Sequence, residues 1–313
     1  MRRVLQSIPT LLIIMIATFA LVHLAPGGPF AYLVLNPHIN RSEVLRLEAA
    51  YGLNLPLPIQ FIHWFWAMVH LNFGISFQGG QQVATLIGAA LPNTLLLVGI
   101  SLCIILLISF PIGILAAVKQ YSVADYTATI LSFGGISIPD FWLGLMLMIV
   151  FSISLNWLPA GGMLTIGAPF SIWDRIRYLI LPVTTYVLVN QAYFSRYIRS
   201  SMLEVVRQDY IRTARSKGVR ERVVIYKHAL RNAMIPVATI FGLTILPSLV
   251  GGAVILETVF AWPGMGRLYY QSAVSRDYPT ILAITLIAAF AVILGNLLAD
   301  LSYGLLDPRV QYD

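Results

Sequence analysis

Charge is what this sequence has least of. Only 11% of its 313 residues are Asp, Glu, Lys or Arg, against 58% apolar; a soluble domain carries roughly 25% charged residues. With a mean hydropathy of +0.80, one soluble core cannot hide so much apolar surface, and composition places the chain among integral membrane proteins. Cysteine is nearly absent. Cys103, alone within an apolar run, excludes an internal disulfide and any multi-thiolate metal site. There is no G-x-x-x-x-G-K-[ST], no H-E-x-x-H and no G-x-S-x-G. The chain therefore has no P-loop for ATP, no zincin site and no nucleophile elbow. It reads as a non-enzyme that binds no cofactor or metal of its own. His63 and His70 are able to share a helical face, but with no carboxylate or thiolate beside them they read as interfacial polar groups.

Long apolar runs are abundant. A bilayer-spanning helix needs about 20 mostly apolar residues, and six stretches qualify: 4–24, 95–118, one within 126–156, 178–195, 234–256 and 279–299. The fourth is the shortest and most polar. The first follows Arg2 and Arg3, but its apolar run exceeds a signal-peptide core and "HLAPGG" is a poor cleavage site, so it reads as a retained anchor. The expected fold is an all-α integral membrane protein with six transmembrane helices. Its expected parts are a tail and first helix (1–25), an extracytoplasmic loop (26–93), a five-helix core (94–303) containing a cytoplasmic loop (196–233), and a C-terminal tail (304–313).

The scarce charge is unevenly placed. Residues 196–231 hold ten of the twenty Lys and Arg and three of the thirteen acids, so the whole net charge of +7 belongs to this segment. With both termini inside, the cytoplasmic segments hold fourteen Lys and Arg and the outer ones six. The opposite orientation would carry the ten-charge loop across the membrane, against the positive-inside rule. Both termini are expected in the cytoplasm.

In the outer segment, "NRSEVLRLEAAYG" predicts a short helix with Asn40 as N-cap, Glu43 completing the capping box and Gly52 as the stop. "LPIQFIHWFWAMVHLN" is aromatic and nearly uncharged, suited to the interface, and packing against the membrane domain is preferred to substrate binding. Pro111 with Gly113, Pro139, Pro182, and Pro247 with Gly251 and Gly252 interrupt apolar runs and are read as kinks that neighbouring helices can tolerate. Asp140 is the only charge between Asp125 and Asp174. A continuous helix would put it roughly 22 Å from Asp125. Three placements stay open: lining a pathway, structurally paired, or near the outer surface.

In the basic segment, the spacing of Ile198, Met202, Val205, Ile211 and Ala214 predicts a helix over 197–217, stopped at Gly218 after Arg215 and Lys217. A second helical stretch begins near Arg220 and runs into the fifth span. A lipid-facing basic surface explains the sign of the charge but not the small residues Ala214 and Gly218 or the interleaved apolar positions. A DNA-reading helix-turn-helix is disfavoured by the membrane tether at both ends. A docking element, whose arginines meet a partner's carboxylates, accounts for all three features.

These residues resemble a known family. "YIRTARSKG…KHALRNAMIP" is similar to the coupling loop of the inner-membrane permeases of ABC importers, in the form typical of the dipeptide and oligopeptide branch. "LAPGGPF", "SIPDFWLG", "ETVFAWPGMGRL" and "YGLLDPRV" also look like that branch, so the resemblance covers nearly the whole chain. Against the broader importer pattern, Arg212, Thr213 and Ala214 take the E-A-A places, Gly218 the glycine, and His228, Leu230 and Arg231 the I, L and P places. Only Ala214, Gly218 and Leu230 match it; the departures are those of the peptide branch.

The resemblance implies a coupling site comprising Arg212, Thr213, Ala214, Arg215, Gly218, His228 and Leu230. It also implies a family-like outer motif comprising Glu257, Pro263, Gly264 and Gly266. The implied partners are a second, homologous permease, two cytoplasmic ATPases that bind ATP and Mg, an extracytoplasmic peptide-binding protein and the lipid bilayer, with no nucleic acid. The implied location is a bacterial or archaeal plasma membrane. Nickel-chelate and glutathione importers are built alike and are the nearest alternatives. A secondary transporter would instead show inverted repeats and intramembrane ion-binding charges; no repeat is seen, and only Asp140 is a candidate charge.

Overall fold

The computed structural model describes residues 2–24, 28–30, 40–234, 236–238, 240, 248 and 253–306. It is helical, and the described residues hold one isolated bridge, Ile75 with Gln82, in place of any sheet. Helix α1 covers Arg2–Leu24, and the outer segment supplies α2 (Arg41–Ala50) and α3 (Leu57–Val69). Then come α4 (Val83–Val118), α5 (Val123–Ser137) and α6 (Asp140–Met148), which runs on as a π-helical turn, Ile149–Ser154. Helix α7 is Ile172–Val206, α8 is Asp209–Ser216, and α9 is Glu221–Val223, continued by a second π-helical stretch, Val224–Ala229. Helices α10 (Val254–Val259), α11 (Met265–Ser275) and α12 (Tyr278–Leu306) complete the chain.

Three of these helices are long and apolar enough to cross a membrane, within α1, α4 and α12, and the pair α5 with α6–Ser154 has the composition of one broken span. The expected fifth span, 234–256, lies mostly outside the described residues, as do Pro247, Gly251 and Gly252. Outside the membrane candidates, the predicted α2 forms as read. Asn40 Oδ1 accepts from Ser42 N at 3.3 Å, Asn40 N donates to Glu43 Oε2 at 3.4 Å, and Gly52 turns at φ +69°. The aromatic α3 lies on α1: Phe61 meets Phe19 edge-on at 5.3 Å, and Trp64 lies 5.7 Å from the same ring.

Pro111 and Pro182 do not end their helices and lie inside unbroken α4 and α7. Gly113 serves contact instead. A Cβ there would come within 2.8 Å of Ile198 Cβ and of the Ser195 carbonyl, so its missing side chain lets α4 and α7 touch. Pro139 does break its span. The ring drives the preceding residue out of the helical region; Ile138 sits at φ −92°, ψ 122°, and α5 and α6 meet at 92°. This corrects the continuous-helix reading of Asp140. The residue opens α6, where a carboxylate is favoured by the helix dipole, and its Oδ1 accepts from Phe141 N at 2.8 Å.

Helix α7 organises the core. Its Leu179, Leu181, Val183, Val187 and Phe194 enter one buried cluster with Leu97, Ile105, Phe260 and Trp262. One turn beyond Phe194, Ile198 and Met202 enter a second cluster with Ile114, Ile211, Val224 and Ala229. Beside the second cluster, Arg199 donates to both oxygens of buried Asp125, at 2.7 and 2.9 Å, and Arg196 lies 4.5 Å over the Phe133 ring. The pair links the start of α5 to the end of α7, and removing one partner would leave a buried carboxylate uncompensated.

Candidate functional site

The expected helix 197–217 is two helices. Residues 197–206 are the end of α7, and the chain breaks at Arg207 and Gln208 before restarting as α8. The apolar spacing runs through both pieces because both turn apolar residues toward the same cluster, so periodicity alone could not register the break. Asp209 opens α8, where its charge suits the helix N-terminus.

Helix α8 has two unlike sides. Ile211 is fully buried, and Ala214 packs beside it against the second cluster. On the other side, the Arg212 side chain is 76% exposed and only 3.4 Å from an Asp209 carboxylate that is 97% exposed. Thr213 is exposed too, its hydroxyl donating to the Asp209 carbonyl at 3.0 Å.

The stop at Gly218 forms as expected. Its φ is +72°, Gly218 N donates to the Arg215 carbonyl at 3.0 Å and Val219 N to the Ala214 carbonyl at 3.3 Å. Those two bonds are a Schellman closure, and Ala214 and Val219 supply its usual apolar contact. Beyond the corner, Arg215 grips Glu221 with two bonds, Nη2 to Oε1 at 2.7 Å and Nε to Oε2 at 3.1 Å. These bonds hold the Glu221 carboxyl below the usual glutamate range. Both groups are about half exposed, so the pair contributes about 1 kcal/mol at most. The second helix is then tied to the first by Asn232 Nδ2 donating to Tyr210 Oη at 2.7 Å.

The structure thus gathers the seven expected coupling residues into one small body but turns them differently. Arg212 and Thr213 face outward, Ala214 and Leu230 pack inward, Arg215 holds the corner, Gly218 makes it, and half-buried His228 accepts from Asn232 Nδ2 through its carbonyl. Sequence reading missed Glu221 as the partner of Arg215. Its signal, an acid six residues on across a glycine, is readable only once the corner is known.

The outer motif forms a second body. Glu257 is fully buried. Its Oε1 accepts from Thr94 Oγ1 of α4 at 2.7 Å, and its Oε2 from Arg267 N in the first turn of α11 at 3.0 Å. Thr94 Oγ1 in turn accepts from Met265 N at 2.7 Å. Helix α11 is capped by this pair, since Gly264 offers no side chain. A Cβ on Gly264 would collide with Glu257 Oε2, and one on Gly266 would lie 2.7 Å from Val254 Cα. The Pro263 carbonyl accepts from Asn93 Nδ2 at 2.8 Å, and Trp262 Nε1 donates to the Asn93 carbonyl at 3.0 Å. All four motif residues therefore hold α4, α10 and α11 together. A further buried carboxylate, Asp277, went unnoticed in the sequence. It accepts from Ser76 Oγ, Phe77 N and Thr280 Oγ1 at 2.5, 2.9 and 2.6 Å and so ties the outer segment to the start of α12. Its signal was a helix-start pattern, Asp before Tyr-Pro-Thr.

Residues 109–312 match the family of binding-protein-dependent transport system inner membrane components, and residues 1–98 match the N-terminal segment of such membrane components. The chain belongs to that family. Among its relatives is the oligopeptide transport system permease protein AppB of Bacillus subtilis (strain 168), 48% identical over 312 residues, which span 99% of this chain and 98% of AppB. A putative peptide permease protein of Brucella ovis is 44% identical over 313 residues, 99% of this chain and 98% of its own. The dipeptide transport system permease protein DppB of Alkalihalophilus pseudofirmus is 37% identical over 330 residues, covering all of this chain and 98% of its own. The chain is accordingly an integral inner-membrane component, and both its bodies of functional interest lie within the matched residues.

No atom lies within 4 Å of a Cβ placed on Gly218, so only its backbone demands glycine. Gly218→Val should therefore cost about 1–3 kcal/mol of local stability, while Gly218→Asn, which tolerates positive φ, should cost much less. Hydrogen exchange at the Val219 amide reads the difference. Equal loss of protection in both variants would mean that something other than φ selects the glycine.

Proposed function

We propose that this chain is one of two homologous permease subunits of an ATP-driven importer of peptides, and that α8 with its glycine corner is the element it offers to a cytoplasmic ATPase. The observation that carries this is the two-sidedness of α8: one side is pinned by Ile211, and the other is left basic and exposed, in the segment that holds the chain's whole net charge. The peptide cargo follows from relatives that align from end to end and are oligopeptide and dipeptide permeases. ATP and Mg belong to the two ATPases, and a binding protein delivers cargo at the outer side. ATPase closure draws the α8 helices of the two permeases together, and α7, 35 residues long, carries that motion into the membrane and switches the pathway from inward- to outward-facing.

The same proposal includes six spans, with both termini in the cytoplasm of a bacterium or archaeon. Two exposed positions report on it. With Cys103 removed, cysteines are placed singly at Ser216 and Gln271, the latter because neighbouring Ser272 is buried. A membrane-impermeant thiol reagent added to spheroplasts should label position 271 and spare 216. Labelling at 216 reverses the orientation.

Asp140, half-buried at the break between α5 and α6, is assigned to the translocation pathway, where it meets a peptide's amino group. Asp140→Asn should shift transport affinity or cargo preference with assembly intact; loss of assembly would make the residue structural, and no change in either would place it off the pathway.

The docking role has its own test. Arg212→Glu reverses an exposed charge without touching the cluster beneath α8, so folding should survive while ATPase retention and uptake fall, the loss varying with salt. Subunit retention, ATP hydrolysis and peptide uptake are measured on one reconstituted preparation. Full uptake by the variant would remove α8 from the coupling path.

A further inference from the structure

A cleft of about 490 Å³ opens where the ends of α4 and α7 meet α8. Its walls are apolar: Ala117 and Val118 on one side, Leu203 and Val206 on the other. Its rim is Gln120, Arg207, Arg212 and Arg215, three cations with no acid among the lining residues. An apolar slot under a triple-arginine rim suits a ligand that is half hydrocarbon and half anion.

The state of each arginine narrows the ligand. Arg215 spends Nε and Nη2 on Glu221, and Arg212 has only a long contact to Asp209. Arg207 donates from Nη2 to Gln120 Oε1 at 3.2 Å, and among the described residues no carboxylate lies within ion-pair distance of it. A guanidinium has five N–H donors in a planar fork that matches phosphate oxygens. Arg207 is thus a cation set over apolar wall residues, bonded only to a neutral amide, with most of its donors unused.

The depth of the cleft narrows the ligand further. Gln120 is followed directly by Tyr121, 70% exposed, and the same corner exposes Val123 at 83% and Tyr126 at 57%. Phenol rings beside bare aliphatic side chains mark the headgroup level of a bilayer. The orientation proposed above makes this the cytoplasmic leaflet, whose anionic lipids draw basic side chains.

We infer that this cleft binds the phosphate headgroup of an anionic phospholipid, with Arg207 as its principal ligand, Gln120 holding the guanidinium in place, and the upper acyl chain lying on Val118 and Val206. The bound lipid bridges the end of α4 and the start of α8. The binding itself does not depend on the ATPase-docking reading; only its consequence does, namely that lipid steadies the docking helix.

The test uses the assembled transporter with its ATPases, exchanged from detergent into phosphatidylglycerol or phosphatidylcholine and weighed by native mass spectrometry. Wild type should retain phosphatidylglycerol in preference to phosphatidylcholine. Arg207→Gln should lower that retention about fivefold, the factor for one basic side chain at a membrane surface, with both ATPases still bound. Equal retention by variant and wild type overturns the site. Loss of ATPases from the variant overturns it differently, by assigning the cleft to the protein interface. Displacement of phosphatidylglycerol by inorganic phosphate alone overturns the lipid assignment in favour of a free-anion site. The failure of lipid binding and the failure of docking are thus read on separate masses.

Discussion

The contact on which the rest of this molecule depends is the one between α4 and α7 at Gly113. There the backbone of one helix meets Ile198 and the Ser195 carbonyl of the other with no side chain between them. That approach lets a single helix, α7, serve two apolar clusters, one among the membrane helices and one beneath α8. Tight interiors deform poorly. A helix shared by two such interiors is held by packing along both stretches. The Asp125–Arg199 pair lies alongside the second cluster and ties the start of α5 to the end of α7. Its buried carboxylate would be costly to leave unpaired, so α5 and α7 are coupled in whatever motion α7 makes.

How far the sequence revealed this differs between local and non-local features. Asn40, Glu43 and Gly52 define α2 because caps are satisfied within a few residues. Gly218 is legible for the same reason: a helix ending in Arg215 and Lys217 before glycine closes locally. The break at Arg207 is not legible, because helix periodicity continues across it and only the position of the second cluster reveals it. Proline was the poorest guide. Pro111 and Pro182 are absorbed into helices whose neighbours support them, whereas Pro139 breaks its span. The three share one local chemistry and differ in what packs around them. The pairings that join distant segments, Glu257 with Thr94, Asp277 with Ser76, and Arg215 with Glu221, have no periodic signature at all.

The family motifs divide by physical role in a way the sequence did not foretell. At the outer side, Glu257, Pro263, Gly264 and Gly266 are each consumed by structure: a buried carboxylate capping a helix, a carbonyl held by Asn93, and two positions where any side chain collides. Their chemistry leaves nothing over for a ligand. In the basic loop, by contrast, the inward residues Ile211, Ala214 and Leu230 do the structural work, and Arg212 and Thr213 stay exposed, bonded only to Asp209 within their own helix. A motif match therefore locates a body, and burial decides which of its residues can meet a partner.

The charge distribution can then be understood as a partition rather than a surplus. Of the ten cations in residues 196–231, Arg199 is spent on Asp125 and Arg215 on Glu221, both for internal geometry. Arg196 lies on a ring. Arg207 and Arg212 are a few residues apart on either side of the helix break, and neither has a close, well-buried counter-ion among the described residues. Had the break not intervened, one continuous helix would have carried both charges in fixed relation to α7. Because it does intervene, Arg207 stays with the end of α7 while Arg212 goes with the separate helix, and Ile211, whose burial is worth roughly 1.5–3 kcal/mol, keeps the two from separating.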